Sequence, residues 1–276
     1  MFLEKSLLAV GILAAAITAG AGEGTPAKET VAYAGDGSWG SGFVYATDNS
    51  RAIGLGTKFR VDFDKENLYV TFVCEEPRAG ELKKLPPGKD GEWPMCDSVE
   101  IFLDPGRKCG KYIHLAAGIN GAKYDSRFKR DFAAKWKMER TFHEKSWELK
   151  FTIPFREIGA DAKIGDTWGL NLCRNVKLSG NYFSTWAHVG SFFHTPSKFG
   201  ELRFGSPAAA KKAIRERFES GWNALRAELE KKGLLAEFSA ELDAIRSEGT
   251  ELNLRAIREE MEMIDTLKIS KGENKK

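Results

Sequence analysis

Among 276 residues there are only four cysteines and four histidines, and neither set is spaced for metal work. No Cys-x-x-Cys occurs, which excludes a cysteine-rich zinc site. Its extension Cys-x-x-Cys-His is missing as well, and with it a covalent c-type haem. The histidines, His114, His143, His188 and His194, are scattered without a His-x-x-x-His pair. Nor is there a nucleophile motif or a glycine-rich phosphate loop. Charge of one sign is also scarce: 42 Lys and Arg stand against 39 Asp and Glu, a formal net charge of +3. Without a stripe of basic residues among aromatics, nucleic acid is excluded as the main partner.

What is present begins with a leader. Lys5 precedes an apolar run from Leu7 to Ala19, and Ala19-Gly20-Ala21 has the small-x-small pattern of a signal-peptidase site. The run is short and rich in Ala and Gly, so residues 1–21 are expected to be cleaved and not to span a membrane. No lipobox cysteine follows, and the mature chain is expected to be exported, to a periplasm or beyond. Export raises the question of disulfides. Cys74 and Cys173 each fall late in an expected strand and are expected to be buried and able to pair across a core. Cys96 and Cys109 flank a strand of roughly 20 Å, too long to bridge directly.

From about Thr30 to Gly205 the chain reads as short strands. Lys58 to Phe63 and Leu68 to Glu75 form a hairpin around Asp64–Asn67, and Trp136 to Phe142 pairs with Ser146 to Ile153. Further strands are expected over Lys111 to Ala116, Ala122 to Asp125, Trp168 to Val176, Phe183 to His188 and Gly200 to Phe204. Between Asp97 and Asp104, Val99, Ile101 and Leu103 alternate with Glu100, Phe102 and Asp104, which puts one face in a core and leaves an acidic face beside Trp93. This predicts a mainly β fold, an antiparallel β-sandwich of jelly-roll or immunoglobulin-like type, over residues 22–205.

The character changes at Ser206-Pro207, an N-cap followed by proline at the first helical position. Apolar residues at Ile214, Phe218, Trp222, Leu225 and Leu229 keep heptad spacing, as do Leu234, Phe238, Leu242 and Ile245, then Leu254, Ile257, Met261 and Ile264. A C-terminal α-helical segment, residues 206–268, is expected as an intramolecular hairpin or bundle, or as a seam for self-association or partner docking. Residues 269–276 are expected to be a disordered tail.

The aromatic inventory is richer than the catalytic one. Trp147 and Trp168 sit on apolar faces and Trp222 in the helical seam, while Trp93 and Trp186 lie in polar surroundings and are candidate stacking platforms. A pyranose has C–H groups on its faces and hydroxyls at its rim, so aromatic rings and planar polar groups suit it.

Several motifs in order carry a resemblance: Asn67-Leu68-Tyr69-Val70-Thr71-Phe72, Asp97-Ser98-Val99-Glu100-Ile101-Phe102-Leu103-Asp104, Trp168-Gly169-Leu170-Asn171-Leu172-Cys173-Arg174 and Ser184-Thr185-Trp186. Over Thr57 to Phe204 the chain resembles the family 9 carbohydrate-binding module, itself similar to the DOMON superfamily. The resemblance implies a non-catalytic domain that holds a sugar between two tryptophans, with structural calcium in some members. Carried over, Trp93 and Trp186 would form the clamp, and Asp97, Glu100, Asn171 and Arg174 would meet the hydroxyls. Two other readings stay open. A DOMON-type haem domain would use His114 with His188 or Met95, and a glycoside-active enzyme would pair Glu100 with another acid.

Overall fold

The computed structural model describes residues 30–273, apart from 53, 128, 129, 132, 191, 247, 248 and 250. The expected leader lies outside the described residues.

The alternating segments become strands, in chain order β1 (Val31–Ala34), β2 (Val44–Tyr45), β3 (Thr57–Phe63), β4 (Asn67–Glu75), β5 (Ser98–Asp104), β6 (Ile113–Gly118), β7 (Lys123–Arg127), β8 (Arg130–Asp131), β9 (Lys137–Phe142), β10 (Ser146–Pro154), β11 (Thr167–Val176), β12 (Tyr182–Thr185) and β13 (Gly200–Phe204). Short helices α1 (Ala79–Leu82) and α2 (Phe155–Ile158) interrupt them, and α3 (Pro207–Lys231), α4 (Leu235–Ile245) and α5 (Glu251–Glu273) follow.

Both expected hairpins form. β3 returns as β4 through Asp64, whose Oδ1 accepts the N–H groups of Glu66 and Asn67 at 2.8 Å while Oδ2 takes the Tyr69 hydroxyl at 2.7 Å. On β10, Trp147, Leu149, Phe151 and Ile153 are all fully buried and the residues between them are partly exposed, which is period two made visible.

The assembly of the strands differs from a purely antiparallel sandwich. They form one 13-stranded sheet in the order β8-β7-β6-β5-β11-β13-β1-β3-β4-β10-β9, with β12 and β2 attached beside β11. β1 is parallel to both of its neighbours, β13 and β3. Four residues are enough to turn an antiparallel pattern into a mixed sheet, and four residues carry too little alternation to announce it. The sheet curls into a half-barrel, and one of its sides holds a continuous apolar core from Phe59 and Phe72 to Ile101, Leu172 and Phe204.

The helical end has a core of its own. Ser206 caps α3 by accepting the Ala209 N–H at 3.3 Å, and Gly233, at φ +70°, ends the turn after it. Phe218, Trp222, Leu225 and Leu229 of α3 meet Phe238 and Leu242 of α4 and Leu254, Ile257 and Met261 of α5, so the heptad positions pack within one chain. α5 continues to Glu273, past residue 269 where a disordered tail is expected, because nothing before Gly272 opposes the helix. Sheet and helices belong to one compact unit, residues 31–276. α3 is seated on the loop before β11, where a Cβ on Gly165 (φ +90°) would lie 2.6 Å from that of Ala213. Arg217 donates there to the Gly165 carbonyl and lies 3.4 Å from Asp166 Oδ1.

Candidate functional site

All seven residues of β5 are buried, so the acidic face expected to be open is covered too. Residues opposite one another in a ladder share a face, which identifies what stands with Glu100. Phe102 is opposite His114, Glu100 opposite Cys173, Ser98 opposite Asn175, and Asn175 in turn opposite Phe183 on β12. Tyr124 joins through Ala116, which faces both it and Glu100.

The centre of this face is a buried polar chain. Glu100, 4% exposed, places Oε2 2.8 Å from His114 Nε2 and accepts from Asn175 Nδ2 at 3.1 Å through Oε1. Asn175 Nδ2 also reaches Ser98 Oγ at 2.9 Å. With a carboxylate on one side, Nε2 carries the ring proton, so in the neutral imidazole Nδ1 is an acceptor. His114 Nδ1 and Asn175 Oδ1 are buried and have no hydrogen-bond partner among the described residues. Of ten buried side-chain polar atoms without a partner among the described residues, three stand on this face, the third being Ser126 Oγ opposite His114, and together they mark a place where polar groups can be received.

Aromatic rings surround that centre. Phe102 stacks on His114 at 4.2 Å and 7°, and the edges of Tyr124 (5.2 Å) and Trp93 (6.0 Å) meet the histidine from other sides. Trp93 begins a 3₁₀ turn, Trp93–Met95, with Pro94 supplying the fixed φ, and it stays partly exposed. His194 closes the far side at 5.2 Å from His114 and bonds the Tyr112 hydroxyl through Nδ1 at 2.7 Å. Phe183 and Phe192 project to solvent, 45% and 55% exposed.

The structure therefore brings together two of the six expected residues, Trp93 and Glu100, through His114. The other four are occupied elsewhere. Asp97 Oδ2 accepts the N–H groups of Lys177 and Leu178 at 3.2 and 2.9 Å, and burial raises its pKa against the lowering effect of those bonds. Asn171 shares the face of Glu100, but its Oδ1 already accepts from the Thr185 hydroxyl and the Ala187 N–H, at 2.7 and 3.0 Å. Arg174 is three residues beyond Asn171, an odd separation that turns it to the opposite, core side. There it is fully buried over Trp147 and donates to Leu55 O, Gly56 O, Thr57 Oγ1 and Glu75 O. Trp186 is 5% exposed in the core, 5.2 Å from Phe59, and its ring is not available as the second wall of a clamp.

The cysteines and the haem candidates also need correction or placement. Cys74 and Cys173 are buried but free, because their register neighbours are Thr57 and Trp147 for one and Glu100 and Thr185 for the other. His114 spends Nε2 on Glu100 and one ring face on Phe102, while His188 and Met95 are exposed. Among the described residues no group of three or more His, Cys, Asp or Glu side chains could hold a metal ion.

Phe183, Asn175 and Tyr124 were not singled out in the sequence. The signal that could have found Phe183 is parity: it lies three residues before Trp186, so the two rings must face opposite ways.

No family model matches this chain, and no curated protein matches it. Among solved structures, a "putative carbohydrate-binding protein" from Bacteroides uniformis aligns with a TM-score of 0.52 at 18% identity, over 64% of this chain and 100% of that one. A family 9 carbohydrate-binding module from Caldicellulosiruptor kristjanssonii aligns in its cellotriose complex with a TM-score of 0.48 at 18% identity, over 65% of this chain and 96% of that one. The same organism's module in complex with glucose gives 0.46 and 17%, over 64% and 96%. The likeness to the Bacteroides protein establishes a shared fold.

Proposed function

We propose that this chain is an exported, non-catalytic carbohydrate-binding protein whose sugar lies on the Glu100 face, between Trp93 and Phe183. The observation that carries the reading is the pair of buried, unmet acceptors, His114 Nδ1 and Asn175 Oδ1, beside a partly exposed tryptophan. Sugar hydroxyls supply the donors those atoms lack, and ring faces cover the C–H surface of a pyranose. Glu100 acts as a positioning group that holds His114 and Asn175 in place. This replaces a two-tryptophan clamp with a tryptophan and a phenylalanine. The shared fold with a protein described as carbohydrate-binding supports the reading, and the leader at residues 1–21 supplies its route out of the cell.

Intrinsic tryptophan fluorescence of the mature protein, titrated with soluble oligosaccharides, tests it. A saturable change is expected that disappears in Trp93→Ala and weakens at least tenfold in Phe183→Ala. A titration that survives Trp93→Ala unchanged, or silence with every sugar, would refute the site.

A further inference from the structure

A concavity lies at the other end of β5, roughly 20 Å along the strand from Ser98. Between the sheet and α3 runs a groove of about 1680 Å³, lined in part by the Pro105–Lys108 turn. Its walls carry eight arginines and lysines against three acids, Asp161, Asp166 and Glu201. Five of the eight cations are paired: Arg107 and Arg203 with Glu201, Arg217 with Asp166, and Arg215 and Arg255 with Glu219 and Glu259 just outside the lining. Lys108, Lys163 and Lys211 are exposed and form no ion pair among the described residues.

The helix pattern makes this more than a solvated surface. Lys212 pairs with Glu216 one turn on, at 3.8 Å, whereas the turn-on neighbour of Lys211, on the groove side, is Arg215. Arg215 is itself paired one turn on with Glu219, so Lys211 is the cation left free on this face among the described residues. The positive end of α3, at Pro207, opens into the same groove and adds to the field. A net excess of fixed cations inside a concavity concentrates anions there.

We propose that this groove binds an acidic polysaccharide, one with carboxylate or sulfate groups along its length, at a site separate from that of Trp93. Single-stranded nucleic acid would need exposed rings for base stacking. The groove's Trp168 and Phe218 are 3% and 1% exposed, which leaves the partly exposed Tyr33 as a single ring and no row for successive bases. A membrane surface would need exposed apolar side chains to insert. None of the large exposed ones among the described residues lines the groove.

The test is affinity electrophoresis of the mature protein in polygalacturonate and in dextran sulfate, with neutral dextran as control. Retardation is expected in both acidic polymers, weakening steeply as salt rises. The combined variant Lys108→Ala, Lys163→Ala, Lys211→Ala should lose at least tenfold in affinity with an unchanged melting curve, since all three side chains are exposed. Arginine at the same three positions should retain binding, and Trp93→Ala should leave it unaltered whether or not the neutral-sugar site exists. Undiminished binding by the alanine variant, absence of retardation at low salt, or equal capture of single-stranded DNA or phosphatidylglycerol vesicles lost in the same variant would overturn the proposal.

Discussion

Replacing Arg174 separates a ligand-binding arginine from one that holds the fold together. Its guanidinium donates to Leu55 O at 3.3 Å, Gly56 O at 3.0 Å, Thr57 Oγ1 at 3.1 Å and Glu75 O at 2.6 Å, and lies 5.6 Å from the Trp147 ring. These contacts tie β11 to the start of β3 and the end of β4 across the curl of the sheet. Leu55, Gly56 and Thr57 are half-buried, so water can take over part of what the guanidinium leaves. At about 0.5–1 kcal/mol for each of four bonds and about 1 kcal/mol for the ring contact, less the apolar contact methionine restores, Arg174→Met should cost about 3 kcal/mol. With a urea m-value of about 2–3 kcal/mol/M, the unfolding midpoint should fall by about 1–1.5 M. Arg174→Lys should lie between the two, because an ammonium keeps the charge but not the fork that spans both segments. The assay is urea unfolding followed by fluorescence, run beside sugar titration of the still-folded variant. An unchanged midpoint together with lost sugar affinity would refute this account and return Arg174 to the ligand.

Two further predictions concern buried ionisable groups. Burial pushes the Cys74 thiol up to about 12 and raises Cys173 and Cys96 as well, whereas Cys109 is exposed. A chromogenic disulfide reagent at pH 8 should titrate one thiol quickly in the native protein and four in denaturant; two in denaturant would mean that Cys74 and Cys173 pair after all. Asp97 has a folded pKa above its ordinary 3.8, with burial as the leading cause. The native state then holds a proton that the unfolded state releases, so this group's contribution favours folding below that value and is lost as pH rises through the window above 3.8. Asp97→Asn should flatten the pH dependence of the urea midpoint there, and an unaltered slope would show that Asp97 does not titrate with folding.

Much of the local structure was legible in the residues. Alternation located β3, β4 and β10 closely because each has one face in the core, and Ser206-Pro207 marked the start of α3 to the residue. The helical seam was equally plain, since heptad spacing survives whether helices pack within one chain or between two. The site was less legible because a residue list ignores parity. Asn171 and Arg174 are three apart on one strand and cannot serve one face, and Trp186 is turned from Phe183 for the same reason. Glu100 stood out by its charge, but its partners His114 and Asn175 come from other strands, and only register joins them. The mixed sheet was hidden because β1 has four residues and one of its two partners, β13, is remote in sequence.

That remoteness bears on how the chain reaches its final form. Along the main path of the sheet, β1 alone joins the β8-to-β13 half to the β3-to-β9 half, and Val31 waits for Glu201, 170 positions later. At 5–20 residues per second of synthesis, the keystone stands without its partner for roughly 10 to 30 s. The strands already made form partial sheets with open edges in that interval, and such edges invite pairing with other chains. Loss of β1 would therefore do more than remove four residues, because it would leave both halves permanently in that condition.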